Sequence, residues 1–216
     1  MLVLAVDTSS AAVTAAVADV SPEGVAVRAE RVTLNSRGHG EYLAPAIAEC
    51  LAAAGAAPGD LCAIVAGTGP GPFTGLRVGL VTAAVMADVL AIPAYGVCSL
   101  DAIAGTRAGA LLVATDARRK EVYWARYLDG VRIDGPAVSH PADLRSDGGM
   151  MAGAGARLYA DVLGLPLVDQ DVPSAAALVH RAADRIRSAA PTEALTPLYL
   201  RRPDALEPGR PKAVTR

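Results

Sequence analysis

The chain has 216 residues, of which 52% are hydrophobic and 19% charged, with a formal net charge of −2. This composition gives ample core for one large domain or two small ones and excludes a disordered chain. The near-neutral charge gives no global reason for nucleic-acid or membrane binding, so nucleic acid would be met through a local patch or a partner.

The opening MLVLAVDTSS has no basic leader and runs straight into Asp7, so it reads as a first strand and not a signal peptide. The chain then passes a Thr-Ser-Ser turn and returns in a second β-prone run. A helix is expected over 41–54, a strand over 62–66 and a helix from 73 to about 90. Between the last two lies GTGPGPFTGLRVGL, residues 67–80. Its crowded glycines and prolines make a stiff turn at a helix start, whose backbone can approach another group closely. Such turns hold phosphates or let one helix pack tightly on another, since glycine has no Cβ. No Lys-Ser or Lys-Thr follows the last glycine, which excludes a Walker loop, and the acidic residue of a dinucleotide fingerprint is missing.

Within the 73–90 helix, Gly75, Gly79, Ala83 and Ala87 recur every fourth residue and form a flat small-residue face. Leu76, Leu80, Val81, Val85, Val89 and Leu90 cover most of the rest, as in a helix buried on more than one side. Arg77 and Asp88 leave too short a clean apolar run to span a bilayer. The 41–54 helix has a stripe through Leu43, Ile47 and Cys50. Either these faces lie inside one lobe, or they meet a second chain across a two-fold or pseudo-two-fold axis. The second expectation makes Leu43, Ile47, Cys50, Gly75, Leu76, Gly79, Leu80, Ala83 and Ala87 the subunit interface.

A strand over 94–97 and a turn into 100–104 complete the first half. From residue 111, LLVATDARRKEVYWARYLDG repeats the opening plan. Placing Asp7 on Asp116 pairs Leu4 with Val113, Val13 with Val122 and Ala16 with Ala125. Each copy reads as a hairpin with a carboxylate at its tip, either a chance likeness or an internal duplication. A strand over 150–152, the turn GAGA and a helix over 174–189 follow, with fewer helices than in the first half. The expected units are therefore an α/β lobe over 1–105, a smaller one over 106–200, and a basic tail over 201–216.

Duplicated α/β lobes of this kind suggest the actin-like, ribonuclease-H-like ATPase architecture with a reduced second lobe. In that architecture the two hairpins pinch phosphates and a glycine turn faces adenosine. Asp7, Thr8, Asp116, Gly153 and Gly155 are then the candidate nucleotide-binding residues. The turns TSS and ARRK lack the glycines that let phosphate approach, so the carboxylates equally suit bonds to their own turn N–H groups. Arg118, Arg119 and Lys120 either bind an anion or are simply solvated. His39, His140 and His180 have no nucleophile or ligand-spaced neighbours. Cys50, Cys62 and Cys98 are far apart without a C-x-x-C, which argues against disulfides or zinc and fits a cytoplasmic protein.

GPGPFTGLRVG together with VDTS, HGEYLAPAI (39–47), DARRKEVYWARY and PLYLRR (197–202) resembles the TsaB family, also called YeaZ. That resemblance implies an actin-like subunit in the synthesis of N6-threonylcarbamoyladenosine at position 37 of tRNA. It also implies a TsaD-like catalytic partner, a TsaE-like ATPase in the larger complex, and tRNA met only through that complex. ATP or ADP at the partner interface and a homodimer in isolation are further implications. In TsaD-like proteins an Asn-His-Leu-Glu-Ala-His type segment supplies two metal-binding histidines. Here the corresponding CSLDAI, residues 98–103, has Ser99 and Ile103 in their places. Ile has no donor atom, so the resemblance implies a non-catalytic relative without a metal. The alternative is a nucleotide-dependent phosphotransferase of the same fold.

Overall fold

The computed structural model describes residues 1–35, 38–144 and 148–201. The first strand, β1 (Leu2–Asp7), is apolar on both faces because both are covered. It pairs antiparallel with β2 (Ala12–Ser21), which turns into β3 (Gly24–Leu34). After helix α1 (His39–Ala53), β4 (Ala63–Gly67) lies parallel to β1 on its other side. Helix α2 (Phe73–Leu90) then leads to β5 (Ala94–Val97), giving a sheet of order β3-β2-β1-β4-β5.

Leu4 and Val6 of β1 face Leu43, Ile47 and Cys50 of α1 and Leu76, Leu80 and Ala83 of α2. Val3 and Ala5 face the opposite layer. There the cover is helix α6 (Ala175–Arg187), through Leu178, Val179, Ala182 and Ile186. The first lobe is thus a three-layer α/β sandwich whose back layer comes from the end of the chain. This corrects the assignment of all of 106–200 to a second lobe. The stripe of α6 fits the unfilled back of the first sheet, since only an amphipathic helix there closes the core.

Short α3 (Ser99–Ala104) joins the lobes. The second sheet comprises β6 (Ala110–Asp116), β7 (Val122–Leu128), β8 (Val131–Ser139) and β9 (Met150–Ala152), in the order β8-β7-β6-β9. An antiparallel meander beside a parallel strand repeats the first sheet without an equivalent of β5. The short helices α4 (Ala154–Leu158) and α5 (Ala160–Leu163) follow β9, where the first lobe has its 18-residue α2. This is the actin-like, ribonuclease-H-like arrangement with a reduced second lobe.

Asp7 pairs with Thr14 but Asp116 pairs with Val122. The second hairpin turn is therefore one residue shorter, and the constant offset read from the sequence slips in the returning strand. Val122 matches Thr14, not Val13.

After α6 the chain crosses back over the sheet edge. Glu193 N donates to Ala94 O, Leu198 N donates to Thr68 O, and the Arg201 guanidinium donates to Ala117 O in the second lobe. This strap ties the two lobes together. The tail expected over 201–216 lies, beyond Arg201, outside the described residues. α2 is the one helix among the described residues with the length and hydropathy of a membrane span, and one of its faces is packed against the first sheet.

Candidate functional site

The cleft between the lobes is where an actin-like fold presents its ligands, and the β1–β2 turn forms its floor. Asp7 sits at the end of β1, 1% exposed. Its Oδ1 accepts from Ser9 N at 2.8 Å and from Ser9 Oγ at 2.7 Å, and its Oδ2 accepts from Ser99 Oγ at 2.5 Å. Ser99 Oγ in turn accepts from Gly69 N at 3.0 Å. Burial pushes the Asp7 carboxyl above its ordinary value, while the bonds from Ser99 and Ser9 pull it back. A Cβ at Gly67 would lie 1.7 Å from Asp7 Oδ2, and one at Gly71 would lie 2.0 Å from Ser9 O. The glycine-rich turn therefore closes onto the Asp-Thr-Ser turn.

Thr8 completes the closure. Its Oγ1 donates to Gly75 O at 2.7 Å and accepts from Gly79 N at 2.9 Å, so the hydroxyl is inserted beside the backbone ladder of α2. A Cβ at Gly79 would come within 2.5 Å of that oxygen. The two glycines are a socket for Thr8.

The second lobe has the same logic. Gly153 has φ 103°, and a Cβ there would meet Ala114 O at 2.2 Å. A Cβ at Gly155 would meet the Thr115 carbonyl carbon at 2.6 Å. Both glycines let α4 lie against the backbone of β6. Asp116 is more open, accepting from Arg118 N at 2.8 Å and pairing with the Arg118 guanidinium at 3.3 Å.

Of the five candidate nucleotide residues, Asp7, Thr8, Gly153 and Gly155 are engaged in internal packing, and only Asp116 faces outward. The closed first turn leaves Asp7 no opening for a phosphate, so Asp7 and Thr8 do not fit a nucleotide held as in an actin-like ATPase. What remains open is a cleft of about 400 Å³ lined by His39 and Gly40 at the start of α1, Phe73 and Thr74 at the start of α2, and Arg118.

The interface expectation is also corrected. Leu43, Ile47, Cys50, Gly75, Leu76, Gly79, Leu80, Ala83 and Ala87 are all buried within this chain. They form the inner faces of α1 and α2 because the sheet beneath supplies apolar cover. The outer face of α2 instead carries Val81, Val85 and Val89, which are 59%, 56% and 77% exposed. Phe73 and Arg77 continue that row toward the cleft.

At the place of a TsaD-like metal site, Ser99 is spent on Asp7 and Gly69, and Ile103 is fully buried. Among the described residues no three His, Cys, Asp or Glu side chains gather as a metal would need. Asp101, in the first turn of α3, accepts from Tyr127 Oη at 2.7 Å and pairs with Arg132 at 3.3 Å. Burial pushes the neighbouring Cys98 thiol up to about 11, which keeps it protonated near neutral pH. Phe73 and Tyr199 stack at the cleft mouth, a contact the sequence does not announce. A lone aromatic in each of two distant motifs carries no signal that the two rings meet.

The sequence model of the family described as "TsaD: tRNA N6-adenosine threonylcarbamoyltransferase" matches residues 33–154. An uncharacterized protein of Mycobacterium tuberculosis is 51% identical over 203 residues, covering 94% of this chain and 93% of that one. The tRNA threonylcarbamoyladenosine biosynthesis protein TsaB of Bacillus subtilis is 35% identical over 130 residues, 59% of this chain and 55% of that protein. A Pseudomonas aeruginosa crystal structure, described as similar to peptidase YEAZ, superposes with a TM-score of 0.77 at 29% identity, covering 93% of this chain and 99% of that one. The family match over more than half of the chain, with a fold shared almost end to end, shows that the chain belongs to the TsaB (YeaZ) family.

Proposed function

We propose that this chain is a non-catalytic, cytoplasmic subunit that binds and orders a TsaD-like catalytic subunit for synthesis of N6-threonylcarbamoyladenosine at position 37 of tRNA. The observation that carries the reading is the outward row of Val81, Val85 and Val89 on α2, exposed although the inner face of the same helix fills the core. Exposed Tyr42, Pro45 and Ala48 of α1 lie on the neighbouring helix. Covering three half-exposed valines contributes roughly 1 kcal/mol each, enough to favour a pair of helices from a related lobe. In isolation the same face pairs two copies of this chain.

The chain's part in the reaction is structural. The clasped Asp7 turn and the Thr8 socket hold α2 rigidly to the sheet, so its outer face is presented as a preformed docking surface. A TsaE-like ATPase joins the larger complex, and any ATP or ADP lies at the partner interface. The enclosed Asp7 carboxylate weighs against the phosphotransferase alternative, because a metal–phosphate group cannot reach it without opening the glycine turn.

Light scattering after size-exclusion chromatography, on the chain mixed with the TsaD-like protein of the same cell, tests the reading. A heterodimer active in threonylcarbamoyl transfer only when both chains are present is the expected result. The doubly substituted Val81→Glu/Val85→Glu chain should keep its fold and lose the heterodimer. ATP turnover by this chain alone, with no heterodimer, would overturn it.

A further inference from the structure

Directly across the cleft from the start of α2 stands the tip of the β6–β7 hairpin. Arg118, Arg119 and Lys120 form this tip with φ of 62°, 53° and 61°. Three successive non-glycine residues in the left-handed region cost about 1 kcal/mol or more each. The conformation is held by bonds from Arg118 N to Asp116, Ala117 N to Glu121 O, Glu121 N to Arg118 O and Arg201 to Ala117 O, and by a His140 ring contact with Lys120 O. The outcome is three cationic side chains exposed on one rigid turn, with that of Arg118 68% exposed.

Phe73 and Tyr199 stack opposite, with ring centroids 5.1 Å apart and planes 28° apart. The Arg77 guanidinium lies 3.9 Å above Phe73, and Arg77 Nε donates to Tyr199 Oη at 2.8 Å. The chain has one phenylalanine in all, and it stands 41% exposed beside a tyrosine 40% exposed. Phe73 and Arg118 line the same cleft. Arg201, two residues after Tyr199, is bonded to the hairpin through Ala117 O.

We propose that this cleft mouth is an RNA contact of the chain itself, with Arg118, Arg119 and Lys120 as phosphate-binding cations and Phe73 and Tyr199 as a stacking platform. The proposal rests on the preceding reading for its choice of RNA, a tRNA held by the TsaD-like partner. The chain is net acidic, so three clustered cations are a local complement to a polyanion. Exposed rings interleaved with guanidinium planes suit unstacked bases, as in single-stranded RNA recognition. An acidic protein surface would satisfy the cations but leave the rings wet. Phe73 and Arg77 also continue the Val81–Val85–Val89 row, so the cleft mouth borders the face proposed for the partner.

The test titrates a tRNA transcript with unmodified adenosine 37 against the full chain with its TsaD-like partner, at several salt concentrations. Arg118→Gln/Arg119→Gln/Lys120→Gln should weaken tRNA binding about tenfold at roughly 0.1 M salt and reduce the slope of log K against log salt by about 2–3. The charge-keeping Arg118→Lys/Arg119→Lys variant should bind nearly as the parent does. Phe73→Ala/Tyr199→Ala should weaken binding about tenfold with the slope unchanged. Parental affinity and slope in both the Gln and the Ala variants would overturn the proposal, as would loss of heterodimer in place of tRNA affinity. If the parental chain forms no heterodimer, the preceding reading fails. The same titration on the chain alone then still decides the proposal by whether the slope changes.

Discussion

The socket that α2 offers Thr8 makes an unusual prediction, because alanine in place of a mid-helix glycine ordinarily stabilises. Gly79→Ala alone should gain about 1 kcal/mol of helix propensity. Its new methyl, however, would sit 2.5 Å from Thr8 Oγ1, well inside normal contact. Relieving that clash costs about 1–3 kcal/mol. It also breaks the bonds of Thr8 to Gly75 O and Gly79 N, each contributing about 1 kcal/mol. The net destabilisation is about 2–4 kcal/mol, which in a chain of this size lowers Tm by roughly 4–16 °C. Thr8→Ala removes the oxygen and its two bonds, costing about 2 kcal/mol. In the double variant the methyl introduced at position 79 takes the space the hydroxyl left, so the second substitution should cost nothing further. Urea unfolding of the four proteins closes the cycle, and the expected coupling is about 2–4 kcal/mol in favour of the double variant. A stabilised Gly79→Ala, or strict additivity, would refute the socket and return the glycines to the role of a partner-facing surface.

Asp7→Asn probes the buried carboxylate through pH. Burial raises the folded pKa above 3.8, so the folded chain takes up a proton more readily than the unfolded one. The associated stability is fully present below 3.8 and is lost as pH rises through the raised value. The parental chain should therefore gain on Asp7→Asn as pH falls from about 7 toward 3.8, read as a narrowing or reversing gap in urea midpoints; a constant gap would refute it. Gly153→Ala combines a left-handed φ with a Cβ 2.2 Å from Ala114 O and should cost about 3 kcal/mol or more. Loss of near-ultraviolet signal from Trp124 on β7, with the first lobe intact, would report it. Arg201→Met removes the strap's hold on Ala117 O and should raise proteolysis at the β6–β7 turn with little effect on global stability.

Much of the fold is legible because periodicity and turn chemistry agree. The apolar run into Asp7, the repeat at Asp116 and the glycine-opened α2 all lie where the pattern puts them, α2 with the expected bounds of 73 and 90. The two strands without a sequence signal, β3 and β8, are both sheet edges. β3 carries Arg28, Glu30 and Arg31, and β8 is interrupted by Gly135-Pro136, so each resembles a loop. An edge strand tolerates such residues because one of its sides need not pair. The return of α6 to the first sheet is likewise hidden, since amphipathicity shows that a helix has a partner without naming which sheet it is.

The exposed apolar face of α2 is hidden for a related reason. A four-residue spacing of small side chains establishes that Gly75, Gly79, Ala83 and Ala87 share a face, but a closely approaching backbone and a closely approaching helix make the same demand. Thr8, some seventy residues earlier in the chain, decides between them by placing a hydroxyl where a neighbouring helix would otherwise lie. Once that face is consumed internally, Val81, Val85 and Val89 stay exposed within the described chain and become the informative residues. The glycine motif thus shapes the outer surface of α2 indirectly. It bonds α2 to the Asp-Thr-Ser turn and leaves the valine ridge, the face proposed for the partner, pointing outward.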